Sequence, residues 1–273
     1  LACFAALFHQ TISTERLKMK IMICGKGGSG KSTVSVMLAR ALKDRGREVL
    51  VVDADESNFG LARLLGLAPP ALLMEHFGGK PGVREKLKTA SPMNPVPLFS
   101  GPVTLGSLPA PCLEKADGIS FLAMGKIRDF GEGCACMVGV LTKKLLENLV
   151  LDPNQRVVVD TEAGVEHFGR GVESGCDAVV GVLDPTMESA ALAAKMAQMA
   201  KKAGIPVGFV LNKTSPAAKK VMEKHLEGIG IIACIPQIDS LFEASLEGIA
   251  IKEYPPAVDE LCQWLENTGR KKP

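Results

Sequence analysis

The nine residues Gly25-Lys26-Gly27-Gly28-Ser29-Gly30-Lys31-Ser32-Thr33 place glycine, lysine and hydroxyl groups at the spacing that wraps a triphosphate. Glycines let the backbone aim N–H groups at phosphate oxygens, and a helix start just beyond them adds positive potential. Lys31 is placed to neutralise the β and γ phosphates, and Ser32 to ligate Mg²⁺. Gly27, Gly28, Ser29, Gly30 and Thr33 complete the cradle. A nucleotide triphosphate, hydrolysed with Mg²⁺, is the chemistry this pattern predicts. Acids stand at two further strand ends, Val51-Val52-Asp53-Ala54-Asp55 and Val157-Val158-Val159-Asp160. In a parallel sheet such positions face the ligand crevice. Asp160 is the expected Mg²⁺-holding carboxylate, acting through water, and Asp53 and Asp55 begin a nucleotide-sensing switch. Either strand-end acid taken alone has a second reading, as the cap of a helix or turn.

A second set of chemical groups is Cys134 and Cys136, in Gly131-Glu132-Gly133-Cys134-Ala135-Cys136. Two soft ligands one residue apart can grip one metal ion but cannot close a four-coordinate site. A two-fold dimer with the pair on its axis would present four thiolates, suited to tetrahedral Zn²⁺ or square-planar Ni²⁺. A helix beginning near Met137 would favour the thiolate form. Unliganded loop cysteines, or a redox pair, are the other readings of the same residues.

The elements that must position these groups are legible from hydrophobic runs. Ile21–Cys24, Val49–Val52, Ile119–Met124, Val157–Val159, Ala178–Leu183, Val207–Leu211 and Ile231–Ile235 read as strands covered on both faces. Between them, Val34, Leu38, Ala41 and Leu42 share one helical face that Gly46 ends. Leu192, Met196 and Met199 repeat the pattern after Thr186, an N-cap residue type. The alternation predicts an α/β fold: a doubly wound, mostly parallel sheet of about seven or eight strands with helices on both faces. Residues 19–273 are expected to form one domain, with a Pro/Gly-rich insertion near 68–116 in which Val103–Leu105 is a candidate short strand. That insertion reads either as a plain surface excursion or as a lid or docking loop.

Composition narrows the function classes. The chain has 273 residues, 47% hydrophobic and 23% charged, enough to bury a sizeable core. A formal net charge of +2, with both signs interspersed, offers no broad stripe for nucleic acid. Eight cysteines, several inside apolar runs, suit a reducing cytoplasm better than a secreted disulfide framework. Leu1–Phe8 is apolar but has neither a charged leader nor the length to span a bilayer; the first strand signal begins at Lys20, immediately after Met19, so residues 1–18 are expected to be an upstream extension outside the fold. No run of about 18 apolar residues predicts a membrane span. Val258, Leu261, Trp264 and Leu265 make an apolar helical face diluted by Asp259, Glu260 and Glu266, which predicts packing on the sheet rather than on a membrane.

The extra lysine, Lys26, makes the loop resemble the deviant Walker-A ATPases, the MinD, ParA and nitrogenase-iron-protein group, and the likeness extends over most of the chain after Met19. That resemblance implies a nucleotide-sandwich homodimer in which Lys26 crosses to the partner's ATP and Asp55 positions the attacking water. It also implies base contacts at Asn212, in Val210-Leu211-Asn212-Lys213, and at Pro236. Within the group, the cysteine motif and Asp160-Thr161-Glu162-Ala163-Gly164-Val165-Glu166-His167 are similar to the CooC-type nickel-insertion ATPases. This implies ATP, ADP and Mg²⁺ as cofactors, Ni²⁺ or Zn²⁺ at a cysteine site shared across the dimer, and carbon monoxide dehydrogenase as client. No nucleic-acid or membrane partner is expected. Two alternatives stay open: a MinD- or ParA-like positioning ATPase, and an ATPase resembling the Fe–S reductases. Against the second, the position of that group's second cluster cysteine holds Glu166, His167 and Phe168. The other six cysteines are expected to be core or incidental.

Overall fold

A computed structural model describes residues 18–89, 98–99, 101–127, 136–165 and 171–269. Residues 1–17 of the expected extension, Cys134, the Glu166–Phe168 segment and the basic Arg270-Lys271-Lys272 end therefore lie outside the described residues.

All seven runs read as strands are strands. They are β1 (Met19–Gly25), β2 (Glu48–Ala54), β4 (Ile119–Ala123), β5 (Gln155–Thr161), β6 (Ala178–Leu183), β7 (Val207–Thr214) and β8 (Ile231–Pro236). An eighth, β3 (Leu113–Ala116), pairs antiparallel with β4 at one edge, and the order across the sheet is β3-β4-β2-β5-β1-β6-β7-β8. Every other pairing is parallel. Alternation within each strand feeds two separate cores. Ile21 and Ile23 of β1, with Val49 and Val51 of β2, face one layer, while Met22, Cys24, Leu50 and Val52 face the other. The sheet is thus apolar on both sides, the physical reason its strands read as continuous hydrophobic runs.

The first layer is covered by α1 (Lys31–Asp44), α2 (Leu61–Leu65) and α9 (Ala257–Gly269). The second is covered by α3 (Leu73–His76), α4 (Gly79–Thr89), α5 (Cys136–Asn148), α6 (Met187–Ala203) and α7 (Pro216–His225). Helix α8 (Asp239–Glu247) buries no residue fully. Thr186 caps α6, its side chain accepting from the Ser189 N–H. In α9, Val258, Leu261 and Leu265 are buried and Trp264 packs beside them. Burial stabilises each such side chain by roughly 1.5–3 kcal/mol. The apolar face of that helix is therefore spent inside the protein. Among the described residues, no helix is long and apolar enough to cross a membrane.

Two features of the 68–116 region depart from the sequence reading. Val103–Leu105 is not a strand of the sheet: Val103 makes one isolated bridge to Leu149, and Leu105–Ser107 is a single 3-10 turn. Hydrophobic residues in a three-residue run carry no period, and here burial of Val103 and Leu105 against the core, not pairing, explains them. Conversely, β3 went unpredicted although its turn is a strong signal. Asp117-Gly118 has φ of 51° and 75°, the two positive values of a two-residue hairpin that matches strand twist. Leu73, Met74, Val83, Leu108 and Cys112 of this region are buried in the second core layer. The described part is integral to the fold, and its helices are too short to show a clear period.

Candidate nucleotide site

Strand β1 ends at Gly25 and α1 begins at Lys31, so the phosphate-loop residues form the turn between them. Gly30 has φ of 92°, and a side-chain carbon there would collide with the Asn212 amide. Only glycine meets both demands. That amide donates to the Ser29 carbonyl at 2.8 Å, and Lys213 Nζ donates to the Gly28 carbonyl at 2.8 Å. The end of β7 thus holds the loop from outside. Lys31, almost fully buried, donates to the Lys26 carbonyl at 3.4 Å.

Behind the loop lie the acids. Asp53 and Asp160 are register partners on neighbouring strands β2 and β5. Asp160 is fully buried and accepts from Ser32 Oγ at 2.7 Å and Ser35 Oγ at 3.0 Å. Asn58 Nδ2 donates to the same Ser32 hydroxyl at 2.7 Å. Asp55 accepts at one oxygen from the Ser57 N–H at 2.9 Å and the Ser57 hydroxyl at 2.6 Å. Asp53 accepts from Lys126 Nζ at 2.6 Å. Burial pushes the Asp160 carboxyl up to about 6, against the pull of Ser32, Lys31 and Ser35. Burial likewise pushes Asp53 up to about 7, opposed chiefly by Lys126.

These shifts give a pH prediction with a definite sign. A carboxyl raised above its ordinary 3.8 binds protons more tightly folded than unfolded, so its stabilising contribution is present below about pH 4 and is lost as pH rises through the folded value. For Asp160 and Asp53 the loss runs from about pH 4 to about 7. A divalent cation beside them favours the ionised forms and reverses the effect. The rise in melting temperature given by Mg-ADP over the free protein should therefore be larger at pH 8 than at pH 5.5. Thermal melts at both values check it; an equal or smaller rise at pH 8 would refute the coupling.

Lys26 points away from the acids. Its ammonium pairs with Asp184 at 3.0 Å and Glu188 at 3.4 Å and donates to Thr186 Oγ at 3.2 Å. The hydrogen bond it donates to the Asp184 carboxylate holds the Lys26 pKa above the usual lysine range. This lysine is thus held within its own chain, on the residues that follow β6.

A cavity of about 830 Å³ opens beside the phosphate loop. Its lining includes Gly27, Gly28, Gly30, Lys31, Ser32, Thr33, Asp55, Asn212 and Pro236, and then Phe242 and Leu246 of α8. Size and mixed lining suit a nucleotide. Ser29, Asp53 and Asp160 lie beneath the wall, and Lys26 stands apart on the Asp184 side. Hard oxygen donors at Ser32 and Asp160, backed by Asp53, fit Mg²⁺. The sequence reading missed Lys126, Asn58, Asp184 and Lys213. Asp184 follows β6 directly, the same strand-end signal that singled out Asp53 and Asp160. Lys126 gave no signal beyond following a strand.

The cysteine pair is only partly in view. Cys136 opens α5, one residue before the expected start, and Cys134 is outside the described residues. Among the described residues no group of three or more His, Cys, Asp and Glu could hold a metal. Cys24, Cys112, Cys176 and Cys262 are buried, and burial raises each thiol pKa, to about 12 for Cys24 and Cys262. Half-buried Cys234 is raised for the same reason. Such thiols are inert core side chains.

Comparison with known proteins agrees with this architecture. Residues 20–251 match the CobQ/CobB/MinD/ParA nucleotide binding domain. The chain is 44% identical over 218 residues to an uncharacterized ATP-binding protein of Methanocaldococcus jannaschii, covering 80% of this chain and 88% of that one. It is 33% identical over 237 residues to the carbon monoxide dehydrogenase accessory protein CooC of Rhodospirillum rubrum, covering 83% and 86%. In three dimensions it superposes on the septum site-determining protein MinD of Pyrococcus horikoshii, solved with Mg-ADP, with a TM-score of 0.64 and 20% identity over 91% of this chain and 96% of that one. A phosphate loop at the carboxyl end of β1, strand-end acids behind it and a family match over most of the chain place this protein among the P-loop ATPases of the CobQ/CobB/MinD/ParA family.

Proposed function

We propose that this ATPase is a metallochaperone that dimerises with nucleotide and assists nickel insertion into carbon monoxide dehydrogenase. One observation carries the reading: the sequence pair Cys134-Ala135-Cys136, whose second cysteine opens α5, in a chain 33% identical to a carbon monoxide dehydrogenase accessory protein over most of both lengths. Lys31 neutralises the β and γ phosphates, Asn212 and Pro236 border the base, and Asp55 positions the attacking water. Ser32 and Asp160 would hold Mg²⁺, and the ion would supply charge neutralisation across the transferring phosphate. ATP draws Lys26 from Asp184 to the partner's nucleotide and closes two copies, which brings two cysteine pairs together as the nickel site. Hydrolysis reopens the dimer and releases the metal.

The positioning-ATPase alternative calls for a membrane- or DNA-seeking surface, and the apolar face of α9 is buried in this protein. Size-exclusion chromatography with elemental analysis, run with ADP and with ATP, tests the proposal. About one nickel per two chains is expected for the wild type, and close to none for the Cys134→Ser/Cys136→Ser double variant. Unchanged metal content in that variant would sink the metallochaperone reading. Stoichiometric iron in anaerobically prepared protein would favour the Fe–S alternative instead.

A further inference from the structure

Adjacent residues of a regular strand point to opposite faces of the sheet, so two of them do not ordinarily reach the same loop. Asn212 and Lys213 both do. The Asn212 amide donates to the Ser29 carbonyl and the Lys213 ammonium to the Gly28 carbonyl, each at 2.8 Å. A break in the strand makes this possible. From Leu211 to Thr214 strand β7 advances three residues while β8 beside it advances two, from Cys234 to Pro236, so β7 carries one residue too many. Within that bulge Lys213 takes the left-handed backbone conformation, with φ of 55°. Among the described residues the other non-glycine residue with positive φ is Asp117, in the turn between β3 and β4. A lysine gains nothing locally from this conformation, because its Cβ crowds the following carbonyl. Such strain persists where the surroundings impose it, and bulges beside binding sites re-aim side chains.

The re-aimed side chains act on two successive peptides of the phosphate loop. In a trans peptide the C=O and the N–H lie on opposite sides, so holding one carbonyl outward turns the next N–H inward. With the Gly28 carbonyl held by Lys213, the Ser29 N–H donates into the curve of the loop, to the Lys26 carbonyl at 3.2 Å, which the Lys31 ammonium also reaches. With the Ser29 carbonyl held by Asn212, the Gly30 N–H is turned the same way. Neither orientation is fixed by the loop itself, since Gly28 and Gly30, with φ of 77° and 92°, have no side chain to restrict them. Gly28, Gly30, Asn212 and Lys213 all line the nucleotide cavity.

We propose that Lys213 is a positioning residue for nucleotide binding, held strained by the β7 bulge so that its ammonium fixes the Gly28–Ser29 peptide in the orientation that receives a phosphate, a role that depends on the nucleotide site and not on the metallochaperone reading. N–H groups set in advance need no ordering when the anion arrives, whereas a free glycine peptide must first be fixed.

Strain and function separate in one variant, because Lys213→Gly removes both the unfavourable conformation and the ammonium. The nucleotide-free full chain should melt about 2 °C higher than wild type. Its Kd for Mg-ADP, measured by isothermal titration calorimetry, should nevertheless rise about tenfold, the scale of one lost hydrogen bond from a charged group. Lys213→Arg, which keeps a cationic donor at the same place, should recover most of that affinity. A lysine that served the fold alone would lower melting temperature and affinity together, and that outcome overturns the proposal. So does an Mg-ADP affinity of Lys213→Gly within about twofold of wild type. Binding by Lys213→Arg as weak as that of Lys213→Gly would equally reject the ammonium as the acting group.

Discussion

Lys31→Ala is expected to lower ATP turnover by at least about a hundredfold while leaving the protein folded, the scale on which losing one well-placed electrostatic donor acts. The structure separates the two effects. Lys31 makes one long hydrogen bond, to the Lys26 carbonyl at 3.4 Å, and alanine is the best residue for the helix that begins there. Little native stability depends on it. Its charge is another matter, since it stands close enough to lower the Asp160 pKa against the push of burial. Removing it leaves Asp160 more readily protonated, which weakens Mg²⁺ binding as well as phosphate neutralisation. Phosphate release and thermal melts, measured side by side, check the prediction. Turnover within a factor of ten of wild type would overturn the role assigned to Lys31, and a collapsed melting transition would reassign it to the fold.

On the proposed dimer, Lys26→Ala should cost turnover on a similar or larger scale, about a thousandfold, the scale on which a positive group supplied in trans to a transferring phosphate acts. Nucleotide affinity of the single chain should barely change, since Lys26 lies outside the cavity, paired with Asp184 and Glu188. Mixing gives the sharper test. A Lys31→Ala chain still carries Lys26, and a Lys26→Ala chain still carries an intact phosphate cradle. Random pairing makes half of the dimers mixed, each with one complete composite site, so an equal mixture should recover about a quarter of wild-type turnover. If the mixture is as inactive as its components, Lys26 does not act across a dimer. Asp184→Ala belongs to the same argument. It removes the 3.0 Å pair that holds Lys26 within its own chain and should raise the fraction dimeric at a given ATP concentration.

Legibility in the sequence followed the reach of the interactions concerned. Strands of the sheet were readable because burial on both faces forces continuous apolar runs such as Val157–Val159. The phosphate loop was readable because its glycines, lysine and hydroxyl act within nine successive residues. Asp117-Gly118 was equally local, and it marks β3 as plainly as the runs mark the other strands. Val103 and Leu105 misled because a buried apolar residue in a loop and one in a strand look alike at that length.

The sequence by itself determined the fold class, the chemistry of the phosphate cradle and the strand ends that carry its acids, since each depends on neighbours a few residues apart. Tertiary structure alone decided which charged side chains meet which partners. Asp53 meets Lys126 across 73 residues, Asp160 meets Ser32 across 128, and the Lys26 side chain meets that of Thr186, beside Asp184, across 160. No local period encodes such a meeting. It follows from strand order, β4-β2-β5-β1-β6, which lines up the carboxyl ends of five sequence-distant parallel strands along one end of the sheet. The phosphate loop was legible as a binder of triphosphate; that Lys26 rests on its own chain, and that the switch is bonded to Met124, Lys126 and Ile127 just past β4, came only with the packed sheet.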